Sequence, residues 1–252
     1  LDEGQQARDP LAGDAVLNRA AERAILASGV IAFFLAGYFG IGLHADPASA
    51  RELWTPADRR IPFVAESIWI YLWLFPASLL PLFLIRCADL FRRTIAAYAI
   101  VIAVSLAVFA IDPVTSRELR VNAGSLDLTR ISPWAVSLVY RLDPPYNLFP
   151  SLHLSVAALA ALSAWKASRV YGAAVACGVL LIGVSICTVK QHFVLDGLGG
   201  VVLAAAAYAV VLRPYERPPR VDPAYGWRGP AAYAVLMALV YAGFVAAFMV
   251  RA

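Results

Sequence analysis

Apolar residues in this chain fall in long runs separated by short polar connections, not in the spacing of a half-buried surface helix or the alternation of a half-buried strand. The runs lie near 25–43, 65–85, 94–111, 150–166, 171–189, 197–213 and 230–250. A bilayer core is about 30 Å thick and a helix rises about 1.5 Å per residue, so a run near twenty residues is long enough to cross. The pattern predicts an all-α fold: a polytopic transmembrane helical bundle of six to seven spans, the last run deciding the count. Pro76 and Pro81 lie inside the second run and predict a kinked or broken helix there. The chain reads as a cytoplasmic N-terminal segment, 1–24, followed by a single transmembrane domain, 25–252.

Composition agrees with this pattern. Apolar residues make up 61% of the chain and charged residues 15%, with a mean hydropathy of +0.70, which is more apolar surface than one soluble core can bury. The formal charge of +4 is spread over short loops, which argues against nucleic acid as a partner and leaves membrane lipids. Cys177 and Cys187 share one apolar run and Cys87 ends another, an arrangement suited to packing and not to a disulfide framework. The polar, acidic start differs from the basic start of a cleavable signal peptide, so the first span is expected to be retained.

Seven spans put Arg86, Arg92 and Arg93 on the same side as Lys166 and Arg169, all in short connections. By the positive-inside rule that side is cytoplasmic, as is the N-terminus. The expected setting is a bacterial inner membrane. The opposite, extracytoplasmic side then receives residues 44–64 and the longest polar stretch, from Asp112 to Leu148. A connection of that length in a compact domain is functional or disordered, and its aromatic and Leu/Val content predicts an ordered interfacial structure.

Two polar clusters emerge on this extracytoplasmic face. Asn147-Leu-Phe-Pro-Ser-Leu-His153 opens the fourth span, and Lys190-Gln-His192-Phe-Val-Leu-Asp196 joins the fifth to the sixth. The fourth and fifth spans are antiparallel, so His153 and His192 can share one site. On a helix, His192 and Asp196 at i and i+4 would be neighbours on one face. A carboxylate there fixes the imidazole tautomer and leaves the other nitrogen as a nucleophile able to attack phosphorus. His153 can then protonate the departing oxygen. Candidate groups for the phosphoryl oxygens are Ser151, Lys190, Arg117, Arg120 and Arg141. His44 reads as a structural residue, and Gly197, Gly199 and Gly200 as close helix packing.

Pro150-Ser151-Leu152-His153 resembles the second signature, P-S-x-H, of the type 2 phosphatidic acid phosphatase (PAP2) superfamily. His192 with Asp196 resembles the H-x-x-x-D end of its third signature. The resemblance runs from about Asn147 to Gly200. It implies a PAP2-like helical core, about 112–213, with a phosphohistidine at His192, a leaving-group acid at His153, no metal, no cofactor and inhibition by vanadate. The family's usual S-R before the nucleophile is here Ser185-Ile186, and Lys190-Gln-His192 resembles instead the inositol phosphorylceramide synthase branch. Arg86 and Arg93 have the separation of the first signature but lie on the cytoplasmic side, so Arg117 or Arg120 is the better counterpart.

The leading expectation is therefore a metal-independent lipid phosphatase acting on a phosphorylated lipid, either a phosphomonoester or a pyrophosphate. The alternative is a headgroup phosphotransferase in which an alcohol acceptor replaces water. A non-catalytic lipid binder or transporter would leave acid, nucleophile and carboxylate without a purpose. A Ser151–His192–Asp196 hydrolase triad would leave His153 idle.

Overall fold

The computed structural model describes residues 10–216 and 224–251, with side chains described from residue 20 onward. The first nine residues of the expected N-terminal segment lie outside the described residues, as do 217–223 and 252. Helix α1 (Pro10–His44) begins well before its apolar run, so the rest of that segment is the start of a helix. Among the described residues the regular elements are all helical, with isolated β-bridges only.

Among the described residues, five helices are long and apolar enough to cross a membrane: Ala20–His44 of α1, α6 (Ala88–Ile111), α9 (Arg169–Thr188), Val194–Leu212 and α11 (Arg228–Val250). Val194–Leu212 consists of α10 (Val194–Ala207) and a wider π-helical turn, Tyr208–Leu212. The remaining two expected spans differ from regular crossing helices. Helix α8 (Leu152–Ala167) has 16 residues, about 24 Å of helix, which is short of a full crossing. The run 65–85 is broken into α3 (Ile68–Tyr71), α4 (Leu74–Ala77) and α5 (Leu80–Leu84). Pro76 and Pro81 lack the amide that a continuous helix through the run would use, and each instead sits in the first turn of a new short helix, which accounts for the interruption.

Chain stops match local chemistry. Helix α6 ends at Asp112-Pro113 and the interfacial α7 (Ile131–Leu142) at Asp143-Pro144, where proline disfavours helical geometry in the residue before it. Ser151 caps α8, its Oγ accepting the Leu154 amide at 3.3 Å. The α8–α9 turn is so tight that a Cβ at Gly172 would lie 2.4 Å from the Trp165 backbone.

Helix α8 is the hub. One apolar core joins it to α1, α6 and α10 through Leu159, Phe91, Tyr98 and Ala204. A second joins it to α3, α7 and α9 through Ile68, Val136, Leu154 and Ile186. Val170, Leu180, Val202 and Leu239 are left on the outside, as expected of a surface solvated by lipid. At one end of the bundle, cations close the carbonyl ends of helices: Arg23 Nη2 donates to Ile85 O at 2.6 Å, and Lys166 Nζ to Arg213 O at 3.0 Å.

The opposite end collects the long connections. Arg51 donates its amide to Pro113 O and accepts from Thr115, and Val114 bridges on to Asn147. Val114, Leu119, Leu148 and Phe193 form a third small core beneath these loops. The segment 112–149 is thus ordered, as its composition predicts. It carries α7, and residues 45–64 lie across it with the short helix α2 (Pro56–Arg60).

Candidate active site

The first turns of α8 and α10 meet under these loops. The Ser151 amide donates to Asp196 O at 2.9 Å, and a Cβ at Gly200 would lie 2.5 Å from Ser151 O. Glycine at position 200 is what lets the two helices approach this closely.

His192 lies in the turn that precedes α10, not within the helix as the i, i+4 reading expects. Its amide is held by Ile186 O at 3.1 Å, at the end of α9. The pair still meets, because Asp196 reaches back from the first turn of α10. Asp196 Oδ2 accepts the Phe193 amide at 2.9 Å and lies 3.4 Å from His192 Nδ1. That is ion-pair range, longer than a fully formed hydrogen bond. His192 Nε2 therefore faces away from the carboxylate, 3.5 Å from Ser151 Oγ. His192 is 3% exposed and Asp196 fully buried.

His153 projects from the first turn of α8 with its ring centroid 5.9 Å from that of His192. It opens onto a cavity of about 470 Å³ walled by apolar side chains of α1, α4, α5 and α6, among them Phe34, Leu74, Phe75, Ile95 and Ile102. Asp143 and His153 are among its few polar lining residues.

The five groups expected to hold phosphate are distributed unequally. Ser151 is beside His192. Arg120 is half-buried next to Asp143, donating to Tyr140 O at 2.9 Å and Asp143 O at 3.0 Å, with Nη2 3.9 Å from Asp143 Oδ2. Lys190 directs Nζ to the carbonyls of Asp58 (3.1 Å) and Ile61 (2.6 Å) in the overlying segment. Its backbone is left-handed (φ 57°), an uncommon conformation for a side-chain-bearing residue. Burial pulls the Lys190 ammonium below its ordinary pKa, with Asp58 and Cys187 acting the other way. Arg117 is exposed and stacks on Tyr146 at 5.1 Å, and Arg141 is exposed in the last turn of α7.

His44 Nδ1 sits 2.8 Å from Gly40 O at the end of α1, a local contact consistent with a structural residue. The Arg86/Arg93 pair lies at the start of α6, the other end of the bundle, with Arg93 paired to Asp89.

Several residues of the site escape a motif reading. Asp58, 2% exposed, accepts the Val194 amide at 2.8 Å and caps α2 with Thr55. The Thr55-x-x-Asp58 spacing is a capping-box signal that could have drawn attention to it. Asp143 accepts from Tyr38 Oη at 2.6 Å and from Gln191 Nε2 at 3.3 Å. Asn147 Nδ2 donates to Tyr38 O at 2.6 Å.

A family model described as the PAP2 superfamily matches residues 41–210, well over half the chain. The chain belongs to the PAP2 superfamily. The matched span covers all the loops at the site end of the bundle and includes His153, His192 and Asp196. No curated protein and no solved structure matches the chain. PAP2 membership, with membrane-crossing helices, supports a membrane phosphatase-type function.

Proposed function

We propose that this PAP2 protein is a lipid phosphatase that cleaves a lipid phosphomonoester or pyrophosphate at the extracytoplasmic face. His192 Nε2 attacks phosphorus, a P–N bond forms as the P–O bond to the lipid breaks, and His153 gives its proton to the departing oxygen. Water then releases phosphate from His192. Asp196 orients the imidazole through Nδ1 and stabilises the charge it gains. We assign the phosphoryl oxygens to Ser151, beside His192, and to Arg120, beside the cavity-lining Asp143.

The observation that carries this reading is the apolar cavity that His153 helps to line, with the His192 ring 5.9 Å from that of His153. A phosphate on an apolar tail fits such a site: the tail occupies the cavity and the headgroup meets the histidines. The test is phosphate release by the purified protein from lipid phosphates and pyrophosphates, with His192→Ala as control. Release that vanishes in the variant supports the reading, and equal release in both overturns it.

A second reading has its own observation. With the nucleophile only 3% exposed beneath the overlying loops, the site restricts bulk water, which favours an alcohol held in place as acceptor. This is the phosphotransferase reading, to which the Lys190-Gln191-His192 run also points. Transfer of the headgroup to an added alcohol, in preference to release of free phosphate, would select it.

A further inference from the structure

We infer that Tyr38 and Asp143, two residues outside the family signatures, form a positioning arm that seats the ring of His153. The inference rests on the reading of His153 as the group that protonates the departing oxygen.

The His153 ring is bounded by three rings, each edge-on. Tyr38 on α1 stands 5.6 Å away, Phe75 on α4 6.3 Å and His192 5.9 Å, between centroids. Phe75 is 47% exposed and His192 is the reacting group, so Tyr38, at 3%, is the rigid wall. Both ends of Tyr38 are tied. Its carbonyl accepts the Asn147 side-chain amide at 2.6 Å, and its hydroxyl donates to Asp143 Oδ1 at 2.6 Å.

Asp143 is itself fixed from several directions. Gln191 donates to Oδ2, Arg120 approaches the same oxygen at 3.9 Å and donates to the main-chain carbonyl, and the residue ends α7. Gln191 immediately precedes the nucleophile, so one carboxylate ties together the wall behind the acid and the turn that carries His192. An imidazole with a free χ2 samples orientations that cannot deliver its proton. A buried ring fixed against it removes them, and a misplacement of about 1 Å can cost about 10²-fold in rate.

The test compares two leaving groups. An alkyl lipid phosphate needs a proton on its departing oxygen, whereas 4-nitrophenyl phosphate releases a stabilised phenolate without one. Tyr38→Phe keeps the ring and deletes its tether; Asp143→Asn keeps the shape and deletes the charge. Both variants are expected to lose about 10- to 100-fold in kcat on the alkyl substrate and less than about threefold on the aryl one. His153→Ala should show the same selectivity, and adding Tyr38→Phe to it should cost nothing more. Equal losses on both substrates, no loss on either, or multiplying losses in the double variant would overturn the arm. A His153→Ala that fails equally on both substrates removes the acid assignment itself, while His192→Ala must abolish both whatever His153 does. Should Asp143→Asn not fold, Tyr38→Phe carries the test alone.

Discussion

Asp196 Oδ2 serves two partners at once: it accepts the amide of Phe193, the residue before α10, and faces Nδ1 of His192. Helix capping and the orientation of His192 therefore share one atom. Replacing the carboxylate by an amide separates the two roles. Asp196→Asn keeps an oxygen for the amide but not the charge, so kcat is expected to fall on the order of 10²-fold or more with little change in Tm. Asp196→Ala should lose both activity and about 1 kcal/mol of stability. Thermal unfolding in detergent beside turnover of the two variants checks the separation.

A covalent intermediate at His192 predicts that label from a radiolabelled lipid phosphate is retained by the quenched protein in base and released in acid, as a phosphoramidate requires. His192→Ala should retain none. Vanadate should inhibit, and turnover should persist in chelator; activity lost in chelator and restored only by a divalent ion would contradict the two-histidine mechanism.

Lys190 provides a stability prediction. Its ammonium donates to two carbonyls of the segment above the site, and hydrogen bonds from charged groups are worth about 1.5–3 kcal/mol. Lys190→Met should lower Tm and reduce kcat by loosening the turn that carries His192, with KM changed less than kcat. A large rise in KM at constant stability would instead assign the amine to phosphate.

Gly200→Ala places a methyl 2.5 Å from the carbonyl of Ser151, an atom that cannot rotate away. Overpacking of this kind costs about 1–3 kcal/mol. Because the displaced residue adjoins His192, activity should fall more steeply than stability does. The same substitution at Gly29, where nothing lies within 4 Å, should be silent in both measurements.

Among the loop arginines, Arg120→Gln is expected to cost at least about tenfold in kcat/KM if the charge proposed to meet phosphate is the one removed. Arg141→Gln, on an exposed turn of α7, should stay within about twofold of wild type. Parallel kinetics on the two variants decide between them.

Much of this was legible in the order of residues. Apolar runs marked the membrane helices because lipid demands length and uniformity, and Pro76 and Pro81 marked the broken segment because proline removes a donor. His153, His192 and Asp196 were legible as a group because one short motif opens the fourth span and the other follows the antiparallel fifth, which brings both to one end of the bundle. The i, i+4 argument gave the right partner for His192 through the wrong geometry, since the turn ends one residue before α10 begins. Asp143, Tyr38 and Asp58 were not legible as site residues. Each reaches the site by tertiary contact across many residues, as in the 105-residue separation of Tyr38 and Asp143, and no local spacing encodes such a contact.

The clamp between Lys190 and the residue 58–61 carbonyls bears on how small a working version of this protein can be. His153, His192 and Asp196 all fall within residues 153–196, which invites the notion of a portable fragment. Yet the turn bearing His192 is braced from a stretch more than a hundred positions earlier, through Asp58 to Val194 as well as through Lys190. A fragment cut after residue 64 would keep every signature residue and lose the brace. Grafting the chemistry onto another scaffold would require carrying that distant ceiling along with the histidines.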